Sequence, residues 1–368
     1  MVDANGGLVL LLTEILTVLV VLMVLATAGV RGWRRRRERS RLEAEAVARP
    51  LILAALDAEV SAGEEGEEPP AVSHLVGRYL DSMASAMAGK LRGGDRAVLV
   101  DLLRRRGTVD AARRNCRSIL TSRRLRAVEL LGSLGLADAV PELVARLDDS
   151  DDEVRRAAVR ALGRTASTDA VPALLALLDA PNRRESEHYI TLALLRMGPA
   201  AVGRLTSALL THGPRGRCAA AKVLGWLGEP SAVAPLQHSL DDGDPAVRAA
   251  AVEALGRIGL PTPAGAMREL LSSAQPVAVR QAAATALGRL GDPRSADVLT
   301  GLLVGETHVL ARAAAGSLAL LGPKGVTALR GWAHVPEAAE VLIGLGEVDA
   351  GDLSAAASGA ASTMEVSG

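Results

Sequence analysis

The sequence predicts an all-α protein: a right-handed α-solenoid of about seven helix pairs, preceded by one transmembrane helix. Three observations carry this. A short segment recurs seven times at a spacing of 30 to 32 residues. An apolar run of 23 residues precedes a block of arginines. Phe is absent and aromatics total 1%, so a core must be built from Ala, Leu and Val, which suits closely packed helices and suits a sheet poorly.

In chain order, residues 1–7 form a short extracytoplasmic N-terminus. Residues 8–30 carry one charge, Glu14. As a helix that run is about 34 Å long, against roughly 30 Å of hydrocarbon. Seven arginines follow within residues 31–41. The positive-inside rule then leaves the N-terminus outside and the arginines in the cytoplasm, with Trp33 at the interface. A cleaved signal peptide ending near Ala26-Thr27-Ala28 is the rival reading. The absence of a leading positive charge, the length of the run and the arginine block oppose it. Glu14 is read as a carboxyl near the outer interface or as a contact to another membrane helix.

Residues 31–70 make the basic stop and a linker. The stretch 42–60 reads as helical but interrupted at Pro50, and 61–70 (SAGEEGEEPP) as an acidic, Gly/Pro-punctuated connection. Residues 71–121 read as N-terminal cap helices, because Val72, Leu75, Val76, Tyr79, Leu80, Met83 and Met87 fall at helical spacing. The solenoid is placed at 122–346 and a disordered tail at 347–368.

Each repeat holds two helical patterns. The first is of the form A-V-P-x-L-x-x-L-L, as at Ala170 to Leu178, with proline in the first turn where no donor is needed. The second is of the form V-R-x-A-A-x-x-A-L-G, as at Val247 to Gly256. Acidic turns such as Asp148–Asp152 separate them and supply N-caps. Small residues at Ala157, Ala161, Ala250 and Ala254 allow close helix approach.

These motifs resemble the HEAT repeat, in the short variety named after phycobilisome lyases, over about 96–345. With the N-terminal run, the chain resembles bacterial membrane-anchored HEAT-repeat proteins. The scarcity of Lys beside Arg, with abundant Ala and Gly, agrees with a GC-rich bacterial genome. The resemblance implies that second helices line the concave side. It also implies a structural ladder of Arg124, Arg155, Arg217, Arg248 and Arg280, each bonded to an acid or carbonyl of a neighbouring turn. The third copy departs from the pattern, with Glu187 at the ladder position and Leu195 in place of glycine.

Chemistry is sparse. The six histidines stand singly, and the paired His-Glu dipeptides of deoxyhypusine hydroxylase, which shares this repeat, do not occur. Two cysteines, Cys116 and Cys218, have no metal spacing and suit a reducing compartment. No catalytic residue, metal or cofactor is expected, and no small-molecule substrate. Formal net charge is zero and stacking aromatics are few, which argues against nucleic acid.

Aligning the repeats gives one candidate site. On the groove side the second helices present Arg156, Arg160, Arg164; His188, Leu192, Arg196; Cys218, Lys222, Trp226; Ala249, Glu253, Arg257; and Gln281, Thr285, Arg289. The row is mainly basic around one Trp, and Arg and Trp dominate binding hot spots. The same arginines also serve as solubilising decoration on any helical repeat. A second basic region, 104–126, carries nine Arg and one Asp and reads as a solvated face or a contact to anionic lipid. The expected function is a scaffold at the inner membrane, with the repeat domain in the cytoplasm and a protein or acidic segment as partner. The alternative is a lyase-like enzyme or an accessory subunit of a membrane enzyme.

Overall fold

The computed structural model describes residues 42–56, 73–91, 93–180, 187–261 and 263–347, with isolated positions between 16 and 39. Residues 1–7, Glu14, Trp33, the linker 61–70 and the tail beyond 347 lie outside these, as does most of 8–30. Among the described residues no helix is long and apolar enough to cross a membrane, and every regular element is helical. The chain divides into two compact units, Met1–Asn115 and Cys116–Gly368. The segment read as a cap, 71–121, is therefore split between them.

In the first unit, residues 42–56 are helical through Pro50, where the sequence predicts an interruption. Ala44, Ala48 and Ile52 are buried at i, i+4 spacing, so a continuous apolar stripe carries the helix past the missing proline donor. Helix α1 (His74–Ala88) starts at Ser73, whose hydroxyl accepts from the Val76 N–H. Its buried residues include Leu80, Ala84 and Ala88, with Tyr79, Met83 and Met87 half-buried beside them. Helices α2 (Gly94–Arg105) and α3 (Thr108–Asn115) follow. Arg106 Nε donates to Asp81 Oδ1 at 2.6 Å and ties the end of α2 to α1.

The second unit alternates two kinds of helix. The second helices of the repeats are α4 (Thr121–Leu134), α6 (Asp152–Thr165), α8 (Glu187–Arg196), α10 (Pro214–Leu227), α12 (Pro245–Ile258), α14 (Val277–Leu290) and α16 (His308–Leu320). The first helices are α5 (Val140–Val144), α7 (Val171–Asp179), α9 (Val202–Thr211), α11 (Val233–His238), α13 (Ala264–Glu269), α15 (Ala296–Gly301) and α17 (Pro323–Gly331). A last helix, α18 (Pro336–Gly344), packs on α16 and α17. Each second helix packs against the next, and the first helices cover the other side of that layer.

Local chemistry explains the pattern. Asp151 and Asp244 cap α6 and α12 through their carboxylates, and proline occupies the first turn of α5, α7 and α10. The glycine inside the L-G motif sets the spacing between repeats. A Cβ at Gly132, Gly163, Gly225, Gly256 or Gly288 would lie 2.4–2.8 Å from Ala161, Ala193, Ala254, Ala286 or Ser317 on the following helix. Ala157, Ala161, Ala250 and Ala254 are all buried, as close helix approach demands. Leu195 takes the glycine position on α8, and α8 packs on α10 far less closely than α10 packs on α12.

Candidate binding face of the second helices

The ladder arginines form staples between successive repeats. Arg124 donates to both carboxylate oxygens of Asp149 at 2.8 Å, and Arg155 of the next helix donates to the Asp149 carbonyl at 2.9 Å. Arg217 repeats the fork on Asp242 at 2.8 Å, and Arg248 takes the Asp242 carbonyl at 2.7 Å. Arg248 also reaches Gln275, and Arg280 binds Glu306 and the Leu271 carbonyl. Burial pushes the Asp149 and Asp242 carboxyls up, but their arginine forks, a backbone N–H each and nearby cations outweigh it. Both pKa values end below the ordinary carboxylate value.

At the third repeat the staple is replaced. Glu187 stands at the ladder position and accepts from Lys222 Nζ at 2.6 Å. Asp179, at the end of α7, accepts from the Arg215 and Gly216 N–H groups at 3.1 Å, so it caps α10 directly.

A hollow of about 360 Å³ opens at this irregularity, lined by Glu187, His188, Thr191, Lys222, Trp226, Glu253, Ala254 and Arg257. Its origin is steric. Where the glycine contact holds, second helices meet backbone to side chain; on α8 the bulkier Leu195 takes the glycine's place, and α8 packs more loosely on α10. The hollow joins five of the residues aligned from the sequence: His188, Lys222, Trp226, Glu253 and Arg257. Trp226 is 49% exposed, and the Arg257 guanidinium lies over its ring at 5.1 Å, within cation–π range. Two carboxylates, Glu187 and Glu253, face Lys222 and Arg257, so the centre of a row read as mainly basic is charge-balanced.

The other aligned residues lie on the same open face outside the hollow. Arg156, Arg160, Arg164 and Arg196 are exposed on α6 and α8, and Gln281 and Arg289 on α14. Cys218 is half-buried on α10; burial raises its thiol pKa, although Lys222 pulls the other way. Sequence alignment missed Glu187, Thr191 and Ala254 as lining residues. The anomaly at Glu187 was visible, but its pairing with Lys222, 35 positions on, depends on where α8 meets α10. Among the described residues no group of His, Cys, Asp and Glu is arranged to hold a metal ion.

This geometry defines an α-solenoid with an exposed face of aligned side chains, and comparison with known proteins agrees. The HEAT repeats family model matches residues 121–193 and 236–319, and the PBS lyase HEAT-like repeat model matches 216–242. HEAT repeats are thus found over residues 121–193 and 216–319, within the second unit. No curated protein matches the sequence. Among solved structures, Kap121p bound to Nup53p is similar at 14% identity and a TM-score of 0.51, over 81% of this chain and 36% of that one. Human deoxyhypusine hydroxylase in complex with glycerol aligns at 19% identity and a TM-score of 0.30, over 67% of this chain and 97% of that one. The CpcE–CpcF complex of phycocyanin lyase from Nostoc sp. PCC7120 aligns at 22% identity and a TM-score of 0.32, over 60% and 92%. The first of these likenesses supports the HEAT-like fold.

Proposed function

We propose that the chain is a membrane-tethered, protein-binding scaffold. A single pass at 8–30 holds the repeats at the cytoplasmic side of the inner membrane, and the concave groove of second helices binds a partner protein or an acidic segment of one. Its role is binding, not catalysis. One observation carries this reading: Trp226 stands half-exposed in a hollow beside Arg257, in a protein with three Trp and no Phe. Exposed Trp is unfavourable in water and favourable at an interface. Kap121p, with a similar fold, is described in complexes with Nup53p, the SUMO protease Ulp1p and Pho4p, which favours a protein as ligand. For the tether, Leu16, Leu19, Leu22, Met23 and Leu25 are helical and 59–65% exposed, as suits side chains that face lipid.

The binding test places a photo-crosslinking residue at Arg257 in the full chain in cells, with Ala234 on α11 as control. Adducts specific to the 257 position are expected, and Trp226→Ala in that background should weaken the captured interaction by about 2 kcal/mol, as hot-spot truncation does. Equal capture from both positions would overturn the assignment of the face. For the tether, the chain should stay in the membrane pellet after an alkaline wash.

A further inference from the structure

We propose that the occupant of this face is an extended acidic segment with one apolar residue seated in the Trp226 hollow, acids about three and six residues to one side of it and one about six residues to the other. The inference rests on the binding face proposed above and adds the chemistry and register of its ligand. On five of the seven second helices the residue after the motif position is Arg or Trp: Arg164, Arg196, Trp226, Arg257 and Arg289 on α6, α8, α10, α12 and α14, where α4 has Ser133 and α16 has Leu320. All five are exposed. Arg164, Arg196 and Arg289 make no ion pair among the described residues. A helix dipole accounts for a cation at each helix end taken singly. Their alignment across one face creates something more, a line of guanidinium groups with one aromatic in it.

The spacing sets the register. Packed helices stand about 8–10 Å apart. Extended chain rises about 3.3 Å per residue, so about three residues cover one regular step and three or more cover the looser step from α8 to α10. The charge distribution sets the composition. At the centre, Glu187 neutralises Lys222, Glu253 lies one turn from Arg257, and the Arg257 guanidinium is stacked on Trp226. An acid there would meet Glu253, whereas an apolar side chain would cover the free part of the indole. Toward α6 the field is strongly positive, with Arg160, Arg164 and Arg196. Toward α14 it is weaker, with Arg289. The segment therefore carries acids about three and six residues from the anchor on the α6 side, and one about six residues away on the α14 side.

The test uses fluorescent synthetic peptides, in both chain directions, and the full chain in detergent, read by anisotropy. The in-register acidic peptide with a Leu anchor should bind, more weakly as salt is raised. Replacing its acids by Lys, shifting them by one residue, or replacing Leu by Gly should each weaken binding about tenfold or more. Arg164→Glu with Arg196→Glu should do the same while leaving helical circular dichroism unchanged. Equal binding of in-register and shifted peptides, or binding indifferent to the double reversal, overturns the inference. If cross-linking at 257 captures a partner in a Trp226-dependent way but no acidic peptide binds, the face stands and the acidic register falls.

Discussion

Replacing Gly225 by Ala adds one methyl group at the point of closest approach between α10 and α12. An ideal Cβ there would lie 2.5 Å from Ala254 Cα and 2.8 Å from Ala254 Cβ. The nearest atom is backbone, so no rotamer change relieves the overlap, and the two helices must separate. Overpacking of this kind costs about 1–3 kcal/mol. The substitution also removes a helical glycine, which returns about 1 kcal/mol. The net expectation is a loss of about 1 kcal/mol. Gly316, inside α16, is the internal control: its Cβ would meet nothing within 4 Å. Gly316→Ala should therefore gain up to about 1 kcal/mol from propensity alone. The two variants make the same chemical change and should move in opposite directions, about 2 kcal/mol apart. At about 2–4 °C per kcal/mol for a domain of this size, circular dichroism melts resolve that difference. Adding Ala254→Gly to Gly225→Ala should rescue little, because the new methyl still overlaps the backbone at position 254. If Gly225→Ala is as stable as Gly316→Ala, the motif glycines do not set the repeat spacing, and the account of the Leu195 hollow fails with them.

Other expectations follow from the same packing and pairing. Ala254→Leu should lower stability by about 1–3 kcal/mol, measured by urea denaturation, because Ala254 is buried against Gly225. Asp149 and Asp242 have depressed folded pKa values, so their stabilisation is complete above the ordinary value of 3.8 and is lost as pH falls through the lower folded value. Denaturation midpoints should fall most steeply in that acid window, and Arg217→Ala should flatten the fall; an unchanged pH profile would exclude the staple. Burial pushes the Cys116 thiol up to about 11, so it should resist a disulfide reagent near neutral pH until urea unfolds the chain. Trp226→Ala should leave the melting temperature unchanged, since its ring is half-exposed; a lowered melting temperature would mark it as core.

The period, the pairing of helices and the positions of the ladder arginines were legible in the sequence, because each is a local pattern repeated about every 31 residues. So was the exposure of Trp226, which follows from its place after the motif glycine. Proline misled at Pro50, where burial of Ala48 and Ile52 outweighs one lost donor. The sharing of Asp149 between Arg124 and Arg155, and of Asp242 between Arg217 and Arg248, required the folded turn, since one arginine takes the carboxylate and the other the carbonyl. The hollow required it most. Its walls come from three repeats, and its width depends on how near α8 can come to α10 once Leu195 replaces a glycine. A repeat sequence determines which neighbours touch. How closely they pack, and hence whether a surface is flat or holds a side chain, is decided by steric fit in three dimensions.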